Sequence, residues 1–563
     1  MKKFLPYYFV LTIVITIAIL APYSTRITNS LPNAIDPVFY AWNLSHNYQS
    51  LLRGGKNLLN TNIFYPEGNT LALSDTLYAQ TVLVTPILAL TNNPVLAENI
   101  YILATFPLAA LAMFILAYYL TGSVWASALG GIFYAFSVPR IAQIGHMPAL
   151  SSQWLPLVFL YLVKYIREGG IKNIIWLFVW FLISITSTMY FGVFLIPLSG
   201  IVVISELIGK GKMVFLRSMR DFCIILIPAV VILVVALYPY IRLRAEYPGI
   251  RRSLDDSMRL SAKPTDYLTV LPTSWLSDMG LPANTNERPL YPTVTLTILA
   301  VASFVLADKK HRKTAITFFL VAIAAGLFSV GPFQGQIKMP YYYLYKIYPL
   351  LESIRVPARF SIFVILGLSV AAATTLARIM KPGKRAYAIG TLVALIFFAE
   401  IWQIRAPYVT VPTLHDIPEV YQYLNQQPDD AIIVELPLHP EWNSVPMETQ
   451  LYKQYSDLTE NDVYALEAYR TYFSSVHRKR MLNGYSGYFP NIYHDHSIVL
   501  DNFPTTEGIT MLEKTRVRYI LIHADEYVNQ PYSDVARKIR NYPALVQVAQ
   551  FGNDYIYRLD TTK

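Results

Sequence analysis

The chain has 563 residues, of which 54% are apolar, 14% aromatic and only 15% charged, with a mean hydropathy of +0.37. So few charges over so long a chain exclude an ordinary soluble enzyme and point to a polytopic α-helical membrane protein. The formal net charge is +10, but the cations gather in short loops between apolar runs instead of forming one basic face, which argues against a nucleic-acid partner.

Lys2-Lys3 precede an apolar run that no small-residue cleavage site follows, so the first element reads as an uncleaved helix. Apolar runs recur at 4–24, 99–120, 123–139, 148–166, 171–188, 190–209, 222–241, 291–307, 314–331, 359–380 and 386–405. Each is close to the roughly 20 residues a helix needs to cross a hydrocarbon core of ~30 Å, giving about 11 spans. Cys223 is the only cysteine, so no internal disulfide can form.

The polar stretch 25–98 follows the first span. Asp36-Pro37 looks like a helix start, with Asp36 either a simple N-cap or a carboxylate held for chemistry. Glu67 lies in the turn sequence Tyr65-Pro66-Glu67-Gly68-Asn69, and Asp75 stands just ahead of the short apolar run Leu77–Leu90, again a possible N-cap. Each acid has a local explanation, but none accounts for all three in one loop beside a membrane, where ionised groups are costly unless used.

Topology follows from charge. Basic clusters occur at Lys164, Arg167 and Lys172; at Lys210, Lys212, Arg217 and Arg220; at Lys309, Lys310, Arg312 and Lys313; and at Lys381, Lys384 and Arg385. All stay on the cytoplasmic side only if Leu77–Leu90 lies in the interface without crossing. Residues 25–98, 139–147, 242–290 and 332–357 are then external, and so is everything after residue 405. The expected division is a transmembrane domain over 1–405 and an external soluble α/β domain over 406–563, with a cytoplasmic N-terminus.

The external link 139–147 carries Arg140 and His146, and the loop entering the tenth span reads Arg355-Val356-Pro357-Ala358-Arg359. Arginines at an external helix end run against the usual charge bias. An anionic ligand would account for them, and so would interfacial anchoring. In the last 158 residues or so, 431–436, 517–522 and 554–559 read as strands. His494-Asp495-His496 is a weak metal pattern, since neighbouring residues do not converge on one ion. Asn483-Gly484-Tyr485-Ser486-Gly487 is a turn-rich aromatic loop. No phosphate-cradling glycine loop, His-Glu-x-x-His pattern or nucleophile elbow occurs, so no cofactor is expected.

Asp36-Pro37 with Trp42-Asn43, Ile63-Phe64-Tyr65-Pro66, Ser74-Asp75, Arg140, Gly145-His146, Gln153-Trp154-Leu155-Pro156, Arg355–Phe360 and Asn483–Gly487 together resemble bacterial membrane proteins of the GT-C glycosyltransferase superfamily. The resemblance spans most of the chain. It implies an inverting transfer of a sugar from a polyprenyl-phosphate carrier, on the external face of the plasma membrane, to a glycan, lipid or protein acceptor. It further implies Asp36 as the acid that activates the acceptor, Glu67 or Asp75 as a second acid, and Arg140, His146, Arg355 or Arg359 as holders of the lipid phosphate. The Asp-x-Asp pair of metal-using oligosaccharyltransferases is missing, so a metal requirement is not supported and no metal ligand is named. A lipid-linked glycan exporter or envelope assembly factor, in which the same arginines merely hold phosphate, is the alternative.

Overall fold

The computed structural model describes residues 3–55, 58–210, 252–285, 287–381, 383–402, 404–414, 416–438, 463–527 and 531–560, with isolated positions between 216 and 245. Most of the expected seventh span, 222–241, lies outside the described residues. The chain divides into two compact units. One comprises Met1–Thr25, Tyr101–Tyr238 and Pro248–Ala406, the other Arg26–Ile100, Pro239–Tyr247 and Pro407–Lys563. The division differs from the expected one, because residues 26–100 fold with the C-terminal part of the chain.

The first unit is helical. Its apolar helices include Leu5–Ile19, Val124–Ala135, Leu155–Glu168, Ile171–Ser187, Met189–Leu207, Val294–Leu306, Lys309–Ser329, Ser361–Ile379 and Lys384–Glu400, with most of Pro94–Thr121. Five segments of the described chain are long and apolar enough to cross a membrane: Pro94–Thr121, Met147–Glu168, Met189–Leu207, Lys309–Ser329 and Pro357–Ile379. The other apolar helices are shorter, 10–17 residues. Their outer surfaces are greasy. Leu5–Ile19 exposes Tyr7, Val10, Leu11 and Val14 while it buries Thr12 and Thr16, the reverse of a helix in water. The chain is thus a multi-pass membrane protein.

Close packing between these helices relies on small residues. A Cβ placed on Gly367 would run into the Phe318 carbonyl, so glycine lets Ser361–Ile379 lie directly on Lys309–Ser329. Gly169 and Gly170 take φ of +71° and +87°, the left-handed region that lets the chain reverse between Leu155–Glu168 and Ile171–Ser187.

The second unit is built on a five-stranded sheet: β1 Ile432–Leu436, β2 Arg480–Met481, β3 Tyr519–His523, β4 Leu545–Phe551 and β5 Asp554–Leu559, in the order β2-β1-β3-β5-β4. The first three run parallel, and β5 pairs antiparallel with both β3 and β4. β1 and β3 are buried along their whole length and, apart from Glu435 and His523, are apolar, as parallel strands covered on both faces are. Residues from the first loop extend this unit. Met481 donates to the Asn62 carbonyl, Tyr65 to the Met481 carbonyl and Phe64 to the Asn483 carbonyl, at 2.8–2.9 Å. The interfacial segment forms a helix, Tyr78–Thr91, that buries Gln80 and Thr81 and exposes Val82, Leu83 and Leu90. An apolar outer face of this kind suits a helix lying in the interface.

Candidate active site

In the second unit the helix Asp36–Leu52 begins at Asp36 itself. Ile35 occupies the N-cap position, and no side chain caps the helix. The cap reading of Asp36 is therefore overturned: its carboxylate stands in the first turn, at the positive end of the helix, with Pro37 next to it where a missing N–H costs nothing. Asn33 sets this start by accepting from the Ile35 amide at 3.0 Å. The half-buried Asp36 accepts a 2.6 Å hydrogen bond from the Tyr485 hydroxyl.

Tyr485 is placed by a fully buried network. The Asn483 amide oxygen accepts from the Glu435 amide and its nitrogen donates to the Glu435 carbonyl, at 2.8 and 3.0 Å. Gly484 donates to Glu467 and Tyr485 to the Thr471 hydroxyl, at 3.1 and 2.9 Å. A Cβ on Gly484 would sit 2.9 Å from Ile63 and Phe64, so only glycine lets this loop lie against the first one. Behind the loop, Arg470 donates to Glu467, Glu526 and the Pro437 carbonyl, and Glu435 approaches it at 3.8 Å. His523 bridges Glu435 and Asp554 at 3.1 and 2.7 Å. Burial alone would lower the His523 pKa. Glu526, Asp554 and the bonds to Asp554 and Glu435 outweigh it and hold the imidazole well above its usual value.

A second acid stands near Asp36. Glu98, in the second turn of Pro94–Thr121, is fully buried with neither carboxyl oxygen hydrogen-bonded among the described residues, and it is near enough to Asp36 to feel its charge. Sequence reasoning passed over it, although an acid at the start of an apolar helix is itself a signal.

The other two predicted acids are placed differently. Asp75 is half-buried and does not cap the following helix, whose N-cap is Leu77 in a left-handed conformation. Its carbonyl accepts from Asn43 at 3.1 Å, and Asn47 donates to the Thr76 carbonyl at 2.8 Å, which ties this segment to the Asp36 helix. Glu67 closes a local turn: its amide donates to the Phe64 carbonyl at 2.8 Å, and its carboxylate accepts from Gly68 at 3.2 Å.

The first unit holds a cluster of its own. Glu287 accepts from two nitrogens of Arg359 and, at 2.8 Å, from Gln143, with the His146 ring 3.9 Å away. Burial would raise the Glu287 carboxyl, but Arg359 and His146, with bonds from Arg359 and Gln143, hold it down to about 2. The Arg359 guanidinium lies 4.9 Å from the centre of the Tyr190 ring, and the Tyr190 hydroxyl accepts from the Arg355 amide at 3.1 Å. The Arg355 side chain is exposed. Glu287 was missed from sequence because its partners lie 72 and about 140 residues away with no local spacing to reveal them.

Arg140 departs from expectation. It is fully buried, and its guanidinium donates to Ser152 and to the Ala135, Leu150 and Thr105 carbonyls at 2.9–3.4 Å, between the Phe106 and Tyr134 rings. This arginine braces the turn between short helices and presents no surface to a phosphate. His494 and His496 lie two apart on the helix Asn491–Leu500, so they point to opposite sides of it, His496 inward.

The fold resembles that of an arabinofuranosyltransferase, AftD from Mycobacteria, with a TM-score of 0.56 at 13% identity, covering 100% of this chain and 42% of that one. The chain therefore spans well under half the length of that enzyme. Looser likenesses are found to ArnT from Cupriavidus metallidurans bound to undecaprenyl phosphate (TM-score 0.47, 11% identity, 99% and 98% of the two chains). The archaeal oligosaccharyltransferase AglB from Archaeoglobus fulgidus, in complex with an inhibitory peptide and a dolichol-phosphate, is similar at TM-score 0.45 and 10% identity, over 98% and 74% of the two chains. No curated protein sequence matches the chain. Residues 8–402 match the model of a family described as Domain of unknown function (DUF6311), so the chain belongs to that family.

Proposed function

We propose that this protein is a membrane glycosyltransferase that moves a sugar from a polyprenyl-phosphate carrier to an acceptor hydroxyl on the external face of the membrane. The observation that carries the reading is the Asp36 carboxylate, fixed at a helix start by Tyr485 through a network of buried residues. In the reaction Asp36 takes the proton of the acceptor hydroxyl as its oxygen attacks the anomeric carbon. The bond from that carbon to the phosphate oxygen breaks, and the polyprenyl phosphate departs with the electron pair. Cations stabilise the charge that grows on the leaving oxygen. Arg355, Arg359 and His146 are the candidates for that work, and Arg140 is left out because it is sealed in the helix core. Glu67 and Asp75 remain candidates for a second acid, to which Glu98 is added. The placement of residues 407–563 outside the membrane is part of the same proposal.

The test is to incubate the purified protein in nanodiscs with polyprenyl-phosphate-linked sugars and an acceptor extract. The reading predicts a new glycosidic bond formed together with free polyprenyl phosphate. Movement of intact lipid-linked sugar across vesicles without bond formation would instead identify an exporter.

A further inference from the structure

The helix that begins with Asp36 carries a second polar face. Asp36, Tyr40, Asn43 and Asn47 recur at helical spacing on one side, while Trp42, His46 and Gln49, with Arg53 at the C-cap, recur roughly 120° further round. This second face forms one wall of a cleft of about 430 Å3 that lies wholly within the second unit. The opposite wall comes from the last turn of the helix Val463–His477 and from the start of β2. His46 stands ten residues beyond Asp36, about 15 Å along the helix, so most of the cleft is separate from the carboxylate centre.

Three features of the cleft point to its ligand. Arg53, Arg478 and Arg480 all line it, and no carboxylate does among the described residues. Burial and the like charge of Arg53 both act to lower Arg478, so the cluster is held together against repulsion. Second, Ser475 lines the cleft and is 8% exposed as a residue, and its hydroxyl oxygen is buried with no hydrogen-bond partner among the described residues, a polar group that burial leaves unsatisfied. Third, the volume lies within the ~300–1,000 Å3 of small-molecule sites, and the rest of the wall is mostly hydroxyl and amide side chains around the Trp42 and His46 rings, which stack at 5.6 Å. His46 is pushed down to about 4 by burial, so at neutral pH it meets a ligand as a neutral hydrogen-bonding ring.

A bare inorganic anion would leave most of this space and its hydroxyl-rich wall unused. We propose that the cleft binds a saccharide bearing an oxyanion, a phosphate ester or a carboxylate, gripped by Arg53, Arg478 and Arg480 with its hydroxyls on the polar wall. Planar guanidinium groups pair with either oxyanion through two parallel hydrogen bonds. The inference concerns binding only and does not depend on Asp36 chemistry.

Calorimetric titration of the full chain in nanodiscs tests it, with glucose 1-phosphate, glucuronate, glucose and inorganic phosphate as probes. At least one of the two anionic sugars should bind, glucose and inorganic phosphate at least about tenfold more weakly, and binding should fall with added salt. Arg478→Gln and the double variant Arg53→Gln with Arg480→Gln should each weaken it about tenfold or more with unchanged melting. Ser475→Ala should weaken it less, and Asp36→Asn should bind as the natural chain does. Equal binding of glucose, equal binding of inorganic phosphate, or arginine variants that melt normally and bind normally would each overturn the assignment. So would loss of the signal whenever anionic lipid replaces neutral lipid in the nanodisc, since the cleft would then serve lipid headgroups.

Discussion

Arg359 in the first unit and Arg470 in the second both meet glutamate, but at different depths and with different company. Arg359 keeps 11% of its side chain exposed, shares the single carboxylate of Glu287 with Gln143 and His146, and lies beside the Tyr190 ring. Arg470 keeps 1% and is ringed by Glu435, Glu467 and Glu526. A guanidinium sealed in this way serves the fold, because every charge around it must be matched from within. Arg359, less deeply buried and beside an aromatic ring, is the guanidinium to which the proposed function gives the donor phosphate.

Substitutions separate the two roles. The largest effect is expected for Arg470→Met, which leaves the buried Glu467 and Glu526 without their cation and Glu435 with His523 alone, and costs about 3–5 kcal/mol. Thermal melting of the purified chain and proteolysis of residues 407–563 should both show it, and an unchanged melting curve would mean that the network is not structural. Tyr485→Phe comes next. It removes one hydrogen bond to a charged group, worth about 1.5–3 kcal/mol, so a 10- to 100-fold fall in kcat is expected with little change in melting. A variant that unfolds instead would move Tyr485 to the scaffold side of the comparison. Arg359→Lys keeps the charge but loses the planar fork, and about a tenfold rise in KM for the lipid donor is expected while the protein stays folded.

The smallest effects concern pH and have opposite signs in the two units. Glu287, held at about 2 in the fold, contributes stability that is complete above its unfolded value near 4.5 and fades as pH falls towards 2. His523, raised above 6.5, contributes stability that is complete below 6.5 and fades as pH rises through its folded value. Melting scans of Glu287→Gln and His523→Gln should therefore lose the acid-side and the alkaline-side slope respectively.

Much of this was legible in the chain. The run Asp36-Pro37 announces a helix, and the helix starts there, although Asp36 is its first residue and not its cap. The strand signals at 431–436 and 554–559 fall on β1 and β5, since short runs rich in β-branched and aromatic residues between turns have few other uses. The partnerships were hidden. Tyr485 lies 449 residues from Asp36, and the loop 483–487 meets Ile63-Phe64 only because Gly484 lacks a side chain. Long-range pairing of this kind leaves no periodicity, which is also why residues 26–100 were expected to go with the membrane helices. Arg140 misled for a related reason. An arginine near a membrane surface looks the same in sequence whether it grips a ligand or, as here, four protein acceptors.

The most direct test of the central claim is the rate of sugar transfer from a polyprenyl-phosphate donor by Asp36→Asn, which keeps an oxygen to accept from Tyr485 but removes the base. The account predicts transfer at least 100-fold slower, about 2.7 kcal/mol or more in the barrier, with melting and donor binding close to those of the natural chain. Transfer at the natural rate by a folded Asp36→Asn protein would contradict it.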